Sequence, residues 1–155
     1  SVTVILLHYA QRIQTTYADR VEKEAIMAVH PDMVGIIVSN MAASLTFYRM
    51  LGLNIAPGQE HEPHVEVMTP NGYRIAWDSE DLMRDMDPNW QRPVGQRVGL
   101  AFKCDSPAEV DALYAQIVAA GYRGHKAPWD AFWGQRYAQV ADPDGTVLDL
   151  FAALA

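Results

Sequence analysis

The hydrophobic residues of the chain fall into two series that repeat the same order of elements. Residues 34–40 form an apolar stretch that ends in a polar residue, and residues 98–105 repeat this pattern. A short apolar run that leads into a helix-capping residue predicts a buried strand followed by a helix. We therefore predict that the chain contains two copies of one βαβββ unit.

Each apolar stretch is followed by a helical pattern that stops at a glycine. In the second copy Ser106 is the predicted N-cap, Pro107 suits the first helical position and Glu109 completes a capping box. Apolar residues then recur at helical spacing and need a sheet to cover them: Val110, Leu113, Tyr114 and Ile117. In the first copy the pattern predicts a helix from the cap Asn40 to Gly52.

Strand candidates follow each helix, and the last two in each copy flank a proline-containing turn. They are residues 53–57, 64–68 and 73–78 in the first copy and residues 135–141 and 147–152 in the second. The two turns are Thr69-Pro70-Asn71-Gly72 and Asp142-Pro143-Asp144-Gly145. Asn-Gly is a preferred centre for a two-residue hairpin, because both positions favour positive φ. Matched turns after matched helices indicate that the unit is duplicated.

The duplication defines the domain organisation. We predict an N-terminal extension at residues 1–32 and one domain at residues 33–155, with modules at 33–78 and 97–152 and a linker at 79–96. The extension has no counterpart in the second copy. The spacing of Ile13, Tyr17 and Val21 predicts an extra amphipathic helix in it that ends before Pro31.

Composition and charge narrow the class of protein. The chain has 155 residues, of which 50% are hydrophobic and 20% charged, as in a folded globular protein. The net charge of −7 and the scattered Lys and Arg argue against a nucleic-acid partner, because phosphate binding requires clustered cations. A single cysteine, Cys104, leaves no internal disulfide, and a buried structural thiol is its simplest role. With no apolar run long enough to span a membrane, we expect a cytoplasmic protein without a membrane partner.

The sequence resembles the vicinal-oxygen-chelate superfamily, which includes glyoxalase I, extradiol dioxygenases, and fosfomycin- and bleomycin-resistance proteins. The resemblance covers about residues 33–152. It rests on residues 38–48 (VSNMAASLTFY) with 51–53 (LGL), and on residues 133–137 (WGQRY) with the turn at 142–145 (DPDG) and residues 147–150 (VLDL). It implies an α+β fold in which two βαβββ modules form an open, cup-shaped mixed sheet around a ligand. Members often dimerise, so the resemblance also implies a homodimer.

Enzymes of this superfamily place one metal ligand on the first and on the last strand of each module. Matching the motifs puts these positions at Met33, Ala76, Arg97 and Asp149. Only Asp149 has a side chain suited to a catalytic divalent cation, and one carboxylate does not hold a metal. Asp78 would serve only if the register slipped by two residues. We therefore expect neither a metal nor another cofactor.

The aromatic residues are the strongest candidates for ligand contact. Trp129, Phe132 and Trp133 cluster before the last hairpin, while Trp77 and Trp90 lie on a strand and in the linker. Stacking on a flat ligand would use the large area of these rings, and packing in the core or at a dimer seam is the alternative. The predicted ligand-binding residues are Trp77, Trp90, Trp129, Phe132, Trp133, His64 and Asp149.

Acidic residues give a second indication of the ligand. Asp78, Glu80, Asp81, Asp85, Asp87 and Asp130 would attract a cationic molecule if they surrounded the cup, and a solvated surface is the simpler explanation for most of them. His64 and Glu66 share one face of a predicted strand, where an outward-facing polar edge is the simpler explanation than a metal site.

Three functions follow as hypotheses. The first is a metal-independent binding protein of bleomycin-resistance type, without catalytic residues, that sequesters an aromatic or cationic drug-like molecule. The second is a metal-dependent lyase, isomerase or dioxygenase of the same superfamily with an atypical metal site. The third is a non-catalytic interaction module whose N-terminal helix docks on a partner.

Overall fold

The computed structural model describes residues 31–96 and 98–154. The elements are β1 (Met33–Val38), α1 (Met41–Met50), β2 (His64–Met68), β3 (Arg74–Ser79), α2 (Glu80–Met86), β4 (Leu100–Lys103), α3 (Pro107–Ala119), β5 (Arg123–Ala131), β6 (Gln135–Ala141) and β7 (Val147–Ala153). The predicted N-terminal helix lies outside the described residues and stays a prediction. Within the part of the chain that is described, no helix is long and apolar enough to cross a membrane.

The strands form two mixed sheets, one from each predicted module. The strand orders are β1-β3-β2 and β4-β7-β6-β5. In each sheet the first and last strands of the module are parallel neighbours, and the other pairs are antiparallel. The chain crosses between the parallel strands through a helix, because parallel strands need a long crossover connection. The predicted α+β class with duplicated modules is confirmed.

The first module lacks one predicted strand. Residues 53–57 are not a strand, so the prediction for this segment is wrong and the first sheet has three strands instead of four. The guanidinium group of Arg49 binds this segment: it donates to the carbonyl oxygens of Ile55 at 3.1 Å and Ala56 at 2.8 Å and pairs with Glu60 at 3.0 Å. These carbonyl groups are therefore satisfied by a side chain instead of by a neighbouring strand.

Both hairpin turns have three residues in the loop, and the predicted two-residue geometry is wrong. Thr69 N–H donates to the carbonyl of Tyr73 at 2.8 Å, and Gly72 is the position with positive φ (81°). The second turn repeats this pattern, with Asp142 N–H donating to Thr146 at 2.9 Å. Proline has no N–H to close a tighter loop, so pairing moves outward by one residue and Gly alone takes the left-handed position. The match between the two turns supports the duplication.

The helix caps follow the sequence signals closely. Asn40 Oδ1 accepts from Ala43 N–H at 3.0 Å, and Ser106 Oγ accepts from Glu109 N–H at 3.3 Å. The predicted linker contains the additional helix α2, which the sequence analysis did not predict. Its N-cap Ser79 accepts from the backbone N–H of Leu82 at 3.2 Å. A Ser N-cap followed by acidic residues in the first turn is a known sequence signal for the start of a helix.

The two modules are joined by buried contacts between α1 and the second turn. Tyr48 is fully buried, and its hydroxyl donates to Asp142 Oδ2 at 3.0 Å. Asp142 Oδ1 accepts from the turn itself, through Asp144 N–H at 3.0 Å and Thr146 N–H at 2.8 Å. Burial raises the pKa of Asp142. The carboxylate therefore depends on its hydrogen bonds, because a buried charge without partners is costly.

We predict that Tyr48→Phe destabilises the domain by about 2 kcal/mol, because it leaves a buried charged acceptor without its donor while keeping the ring. Urea unfolding followed by circular dichroism measures the change. Tyr73→Phe, at a half-exposed position next to the first turn, is the matched control and is expected to have little effect. Equal stability of the two variants would contradict the proposed dependence on Asp142.

Candidate ligand-binding site

The sheet of the second module has one covered face and one open face. Helix α3 covers the face that carries Val140, Leu148 and Leu150, all of which are fully buried. Successive side chains of a strand alternate between faces, so the other face carries the intervening residues. Two cross-strand rows define it, and we call it the second-module face: Trp129, Tyr137, Phe151 and Lys103 in one row, and Lys126, Gln139, Asp149 and Ala101 in the next.

Aromatic rings form a continuous surface on the second-module face. Tyr137 lies between its row neighbours, with ring centroids 5.2 Å from Trp129 and 6.2 Å from Phe151. Trp133, at the turn between β5 and β6, extends the surface and lies 5.4 Å from Tyr137. Phe132 at the tip of the same turn is 97% exposed, and Trp133 is 50% exposed. Exposed aromatic area of this extent marks a binding surface more often than a plain solvent-facing sheet.

Two irregularities in β5 determine which side chains reach this face. The register shifts between Gly124 and Lys126 and again between Lys126 and Trp129. Without them, regular alternation from Gly124 would place His125 and Ala127 on the face. Pro128 cannot donate to a neighbouring strand, which favours an irregular pairing at that point. The shifts put Lys126 opposite Gln139 in place of His125, and Trp129 opposite Tyr137 in place of Ala127.

The face also carries a small polar cluster. Asp149 Oδ1 accepts from Gln139 Nε2 at 2.9 Å. Partial burial and the hydrogen bond to the Asp149 carboxylate raise the pKa of Tyr137 to about 12, so this phenol stays protonated at neutral pH. Lys126 Nζ lies 3.7 Å from the centroid of the Trp129 ring, which is a close cation–π contact. The face therefore offers partly exposed aromatic rings together with both an acceptor and a cation.

The structure brings together only part of the predicted ligand-binding set. Trp129, Phe132, Trp133 and Asp149 share the second-module face and its turn. Trp77 does not reach an open face: it is fully buried on the helix-facing side of the first sheet, with its ring 5.1 Å from Tyr48. Its assignment to the ligand site is corrected to a core role.

Trp90 and His64 also lie away from the second-module face. Trp90 follows α2, where the guanidinium carbon of Arg84 is 5.4 Å from its ring centroid. His64 is on β2 of the first sheet and faces Asp78 across the strand pair. Neither residue has a ring contact with Trp129 or Trp133 in the described part of the chain. We therefore leave both out of the candidate site.

The open face of the first sheet carries an ion-pair network centred on His64. His64 Nδ1 lies 2.6 Å from Asp78 Oδ1, and its Nε2 lies 3.5 Å from Glu66 Oε2. Arg74 pairs with the same Glu66 carboxylate. The hydrogen bond to Asp78 raises the pKa of His64, and the bond to Glu66 acts in the same direction although partial burial opposes it. A Cβ on Gly35 would lie 3.2 Å from Asp78 Oδ2, so this glycine gives the carboxylate room.

The residues at the metal positions of the superfamily do not fit a metal. Met33 lies on β1 opposite Arg74, and Ala76 lies on β3 opposite Gly35. Neither Met33 nor Ala76 has a donor atom suited to a hard or borderline cation. Asp149 is the one carboxylate at such a position, while Arg97 lies outside the described residues. In the described ranges no group of three His, Cys, Asp or Glu side chains could hold a metal ion. Both ring nitrogens of His64 are already hydrogen-bonded, to Asp78 and to Glu66, so His64 does not supply a metal site either.

Most of the acidic residues that were expected to attract a cationic ligand are in ion pairs. Glu80 pairs with Arg84 at 2.8 Å and Arg92 at 2.6 Å. Asp130 pairs with Arg136 at 3.0 Å on the helix-facing side of the second sheet, and Asp78 pairs with His64. These carboxylates already have partners, so the expected attraction of a cationic ligand loses most of its basis.

Comparison with known proteins establishes the family. The sequence matches the family described as the Glyoxalase/Bleomycin resistance protein/Dioxygenase superfamily over residues 30–150. The chain belongs to this superfamily, which confirms the relationship indicated by the sequence motifs. The match does not separate the bleomycin-resistance subtype from the others. No curated protein matches the chain.

Solved structures share the fold. A glyoxalase/bleomycin resistance protein/dioxygenase family enzyme from Burkholderia phytofirmans PsJN has 21% identity and a TM-score of 0.71, covering 81% of this chain and 100% of its own. A glyoxalase/dioxygenase from Nostoc punctiforme has 21% identity and a TM-score of 0.62, covering 84% and 94%. A lactoylglutathione lyase from Agrobacterium tumefaciens has 16% identity and a TM-score of 0.58, covering 81% and 95%. At these identities the likeness shows the fold alone.

Sequence reasoning missed six residues of the second-module face: Tyr137, Gln139, Phe151, Lys126, Lys103 and Ala101. For Tyr137, Gln139 and Phe151 a signal existed, because strict alternation along β6 and β7 puts them on the same side as Asp149. For Lys126 no such signal existed, since its orientation depends on the irregular pairing of β5.

We predict that His64 titrates above its usual range and that Asp78→Asn lowers its pKa. A raised folded-state pKa contributes stability that is fully present below about pH 6.5 and is lost as the pH rises through the folded-state pKa. Wild-type protein should therefore exceed Asp78→Asn in stability by more at pH 5.5 than at pH 8.5. Histidine NMR titration and urea unfolding at both pH values measure these changes.

The control for this experiment is Asp81→Asn, an exposed carboxylate in α2 that has no contact with His64. It should leave the His64 titration unchanged. An unaltered His64 pKa in Asp78→Asn would contradict the assigned cause.

Proposed function

We propose that this protein binds a small planar molecule on the second-module face, without a metal, and acts by holding it. The observation that carries the proposal is the partly exposed aromatic surface formed by Trp129, Tyr137, Phe151 and Trp133 beside Asp149. A flat ligand stacked there removes apolar area from water on both surfaces, and Asp149 supplies a directional acceptor.

Metal-dependent catalysis is the weaker candidate, because the residues at the metal positions do not fit. In the described residues Asp149 is the only metal-type donor among those positions, and its Oδ1 already accepts from Gln139 Nε2. The resemblance to bleomycin-resistance proteins supports stoichiometric capture as the mode of action. Homodimer formation and a cytoplasmic location remain predictions from the sequence.

We predict that Trp129→Ala weakens binding of the neutral planar probe 2-naphthamide about tenfold, or ~1.4 kcal/mol, because it removes the outer ring of the stacking surface. Isothermal titration calorimetry measures the affinity without using tryptophan fluorescence, which the substitution itself would reduce. Addition of EDTA should leave the wild-type affinity unchanged, since no step uses a metal.

Trp90→Ala is the matched control, because it removes a tryptophan outside the second-module face. It should bind the probe as the wild type does. Equal weakening by both substitutions, or loss of binding in EDTA, would overturn the proposal.

A further inference from the structure

We infer that the ligand of the second-module face is a planar aromatic anion, a molecule with an acidic group at the edge of its ring system. This inference rests on the proposed function and specifies the ligand class. It differs from the sequence-based expectation of a cationic ligand, and it follows from the distribution of charge on this one face.

The second-module face is locally cationic although the whole chain is acidic. Lys126 and Lys103 lie at opposite ends of its two rows, and Arg123 lies in the next row, opposite Ala141. Asp149 is the only carboxylate in these three rows. The face and this adjoining row together carry three cations and one anion, whereas the chain has a net charge of −7. An anion approaching this face meets attraction that the rest of the surface does not offer.

None of the three cations is neutralised by a carboxylate of the described chain. The ion pairs of the described residues involve Arg49, His64, Arg74, Arg84, Arg92 and Arg136. Lys126 instead lies over the Trp129 ring at 3.7 Å. A cation that rests on an aromatic face retains its capacity for charge-assisted hydrogen bonds, which are stronger than neutral ones.

The position of Lys126 connects the cation to the stacking surface. A ring stacked on Trp129 takes the place of the ammonium group, and the flexible lysine stem lets that group move to the edge of the ligand. An acidic substituent at that edge then pairs with Lys126, while the ring keeps its contact with Trp129 and Tyr137. A cationic group at that same edge would displace the ammonium group without a compensating pair.

Asp149 does not oppose this arrangement. It lies two strands away from Lys126 in the same row, a separation of about 10 Å, which is close to one Debye length at 0.1 M salt. Its charge is also shared with Gln139 Nε2 and the Tyr137 hydroxyl. Asp149 is therefore placed to accept a hydrogen bond from a hydroxyl or amino group at the far end of the ligand.

The test uses three probes of one shape that differ in charge: 2-naphthoate, 2-naphthamide and 2-naphthylmethylammonium. Calorimetric titration of the full chain at low salt should give about fivefold tighter binding for the acid than for the amide, and the weakest binding for the ammonium. The preference for the acid should shrink at 0.5 M salt. Comparison with 2-naphthyl phosphate assigns the acidic group as a carboxylate or a phosphate by which of the two binds more tightly.

Lys126→Met should reduce the ratio of acid to amide affinity to about one, because the acid loses its charged partner and the amide does not. Arg84→Met removes the same charge from α2, away from the face, and should leave the ratio as in wild type. An unchanged ratio in Lys126→Met, or an equal ratio loss in Arg84→Met, would overturn the inference.

The remaining outcomes separate this inference from the proposed function. Equal binding of all three probes, or tightest binding of the ammonium, overturns the anionic class and leaves planar-ligand binding intact. Binding of none of them overturns both. If, in addition, sedimentation shows a dimer that Phe132→Asp dissociates, the face is occupied by a second copy of the chain.

Discussion

The hydrogen bond from Tyr48 to Asp142 is a buried polar contact that holds the two modules together. It joins a helix of the first module to the turn of the second, and both groups are buried. The Asp142 carboxylate also shapes its own turn through Asp144 N–H and Thr146 N–H. That turn sets the register of β6 with β7, and this register aligns the rows that form the second-module face. One carboxylate therefore links module association to the geometry of the ligand surface.

The two modules share their backbone arrangement, but the side chains on their open faces differ. Parallel outer pairing, matched turns and capped helices recur in both modules because backbone hydrogen bonding requires them. The open faces differ completely: one carries the His64–Asp78 pair with Glu66, and the other carries aromatic rings with Lys126. Side chains on an open face are free to diverge once the opposite face packs the core. Membership of the superfamily accordingly defines the fold here, while the site residues define what is bound.

The features that sequence could predict were those with a local cause. The caps at Asn40 and Ser106, two strands with their full bounds, and the buried Cys104 each follow from nearby residues. The strand at residues 53–57 failed because Arg49, earlier in the chain, captures its carbonyl groups. Trp77 was misassigned because a tryptophan on a strand gives no sign of which face it takes. The candidate site depended on cross-strand register, which one sequence does not contain.

The irregular pairing of β5 has a consequence for how this protein can diverge. Each register shift reverses which side of the strand is exposed over the residues that follow, while Gly124 and the helix-facing residues of β6 keep their places. Each shift corresponds to one extra residue on β5, so insertion or deletion of a single residue between Gly124 and Trp129 would add or remove a shift. Because β5 is the edge strand of its sheet, such a change would alter how this strand pairs with β6 without interrupting the pairing of β6 with β7.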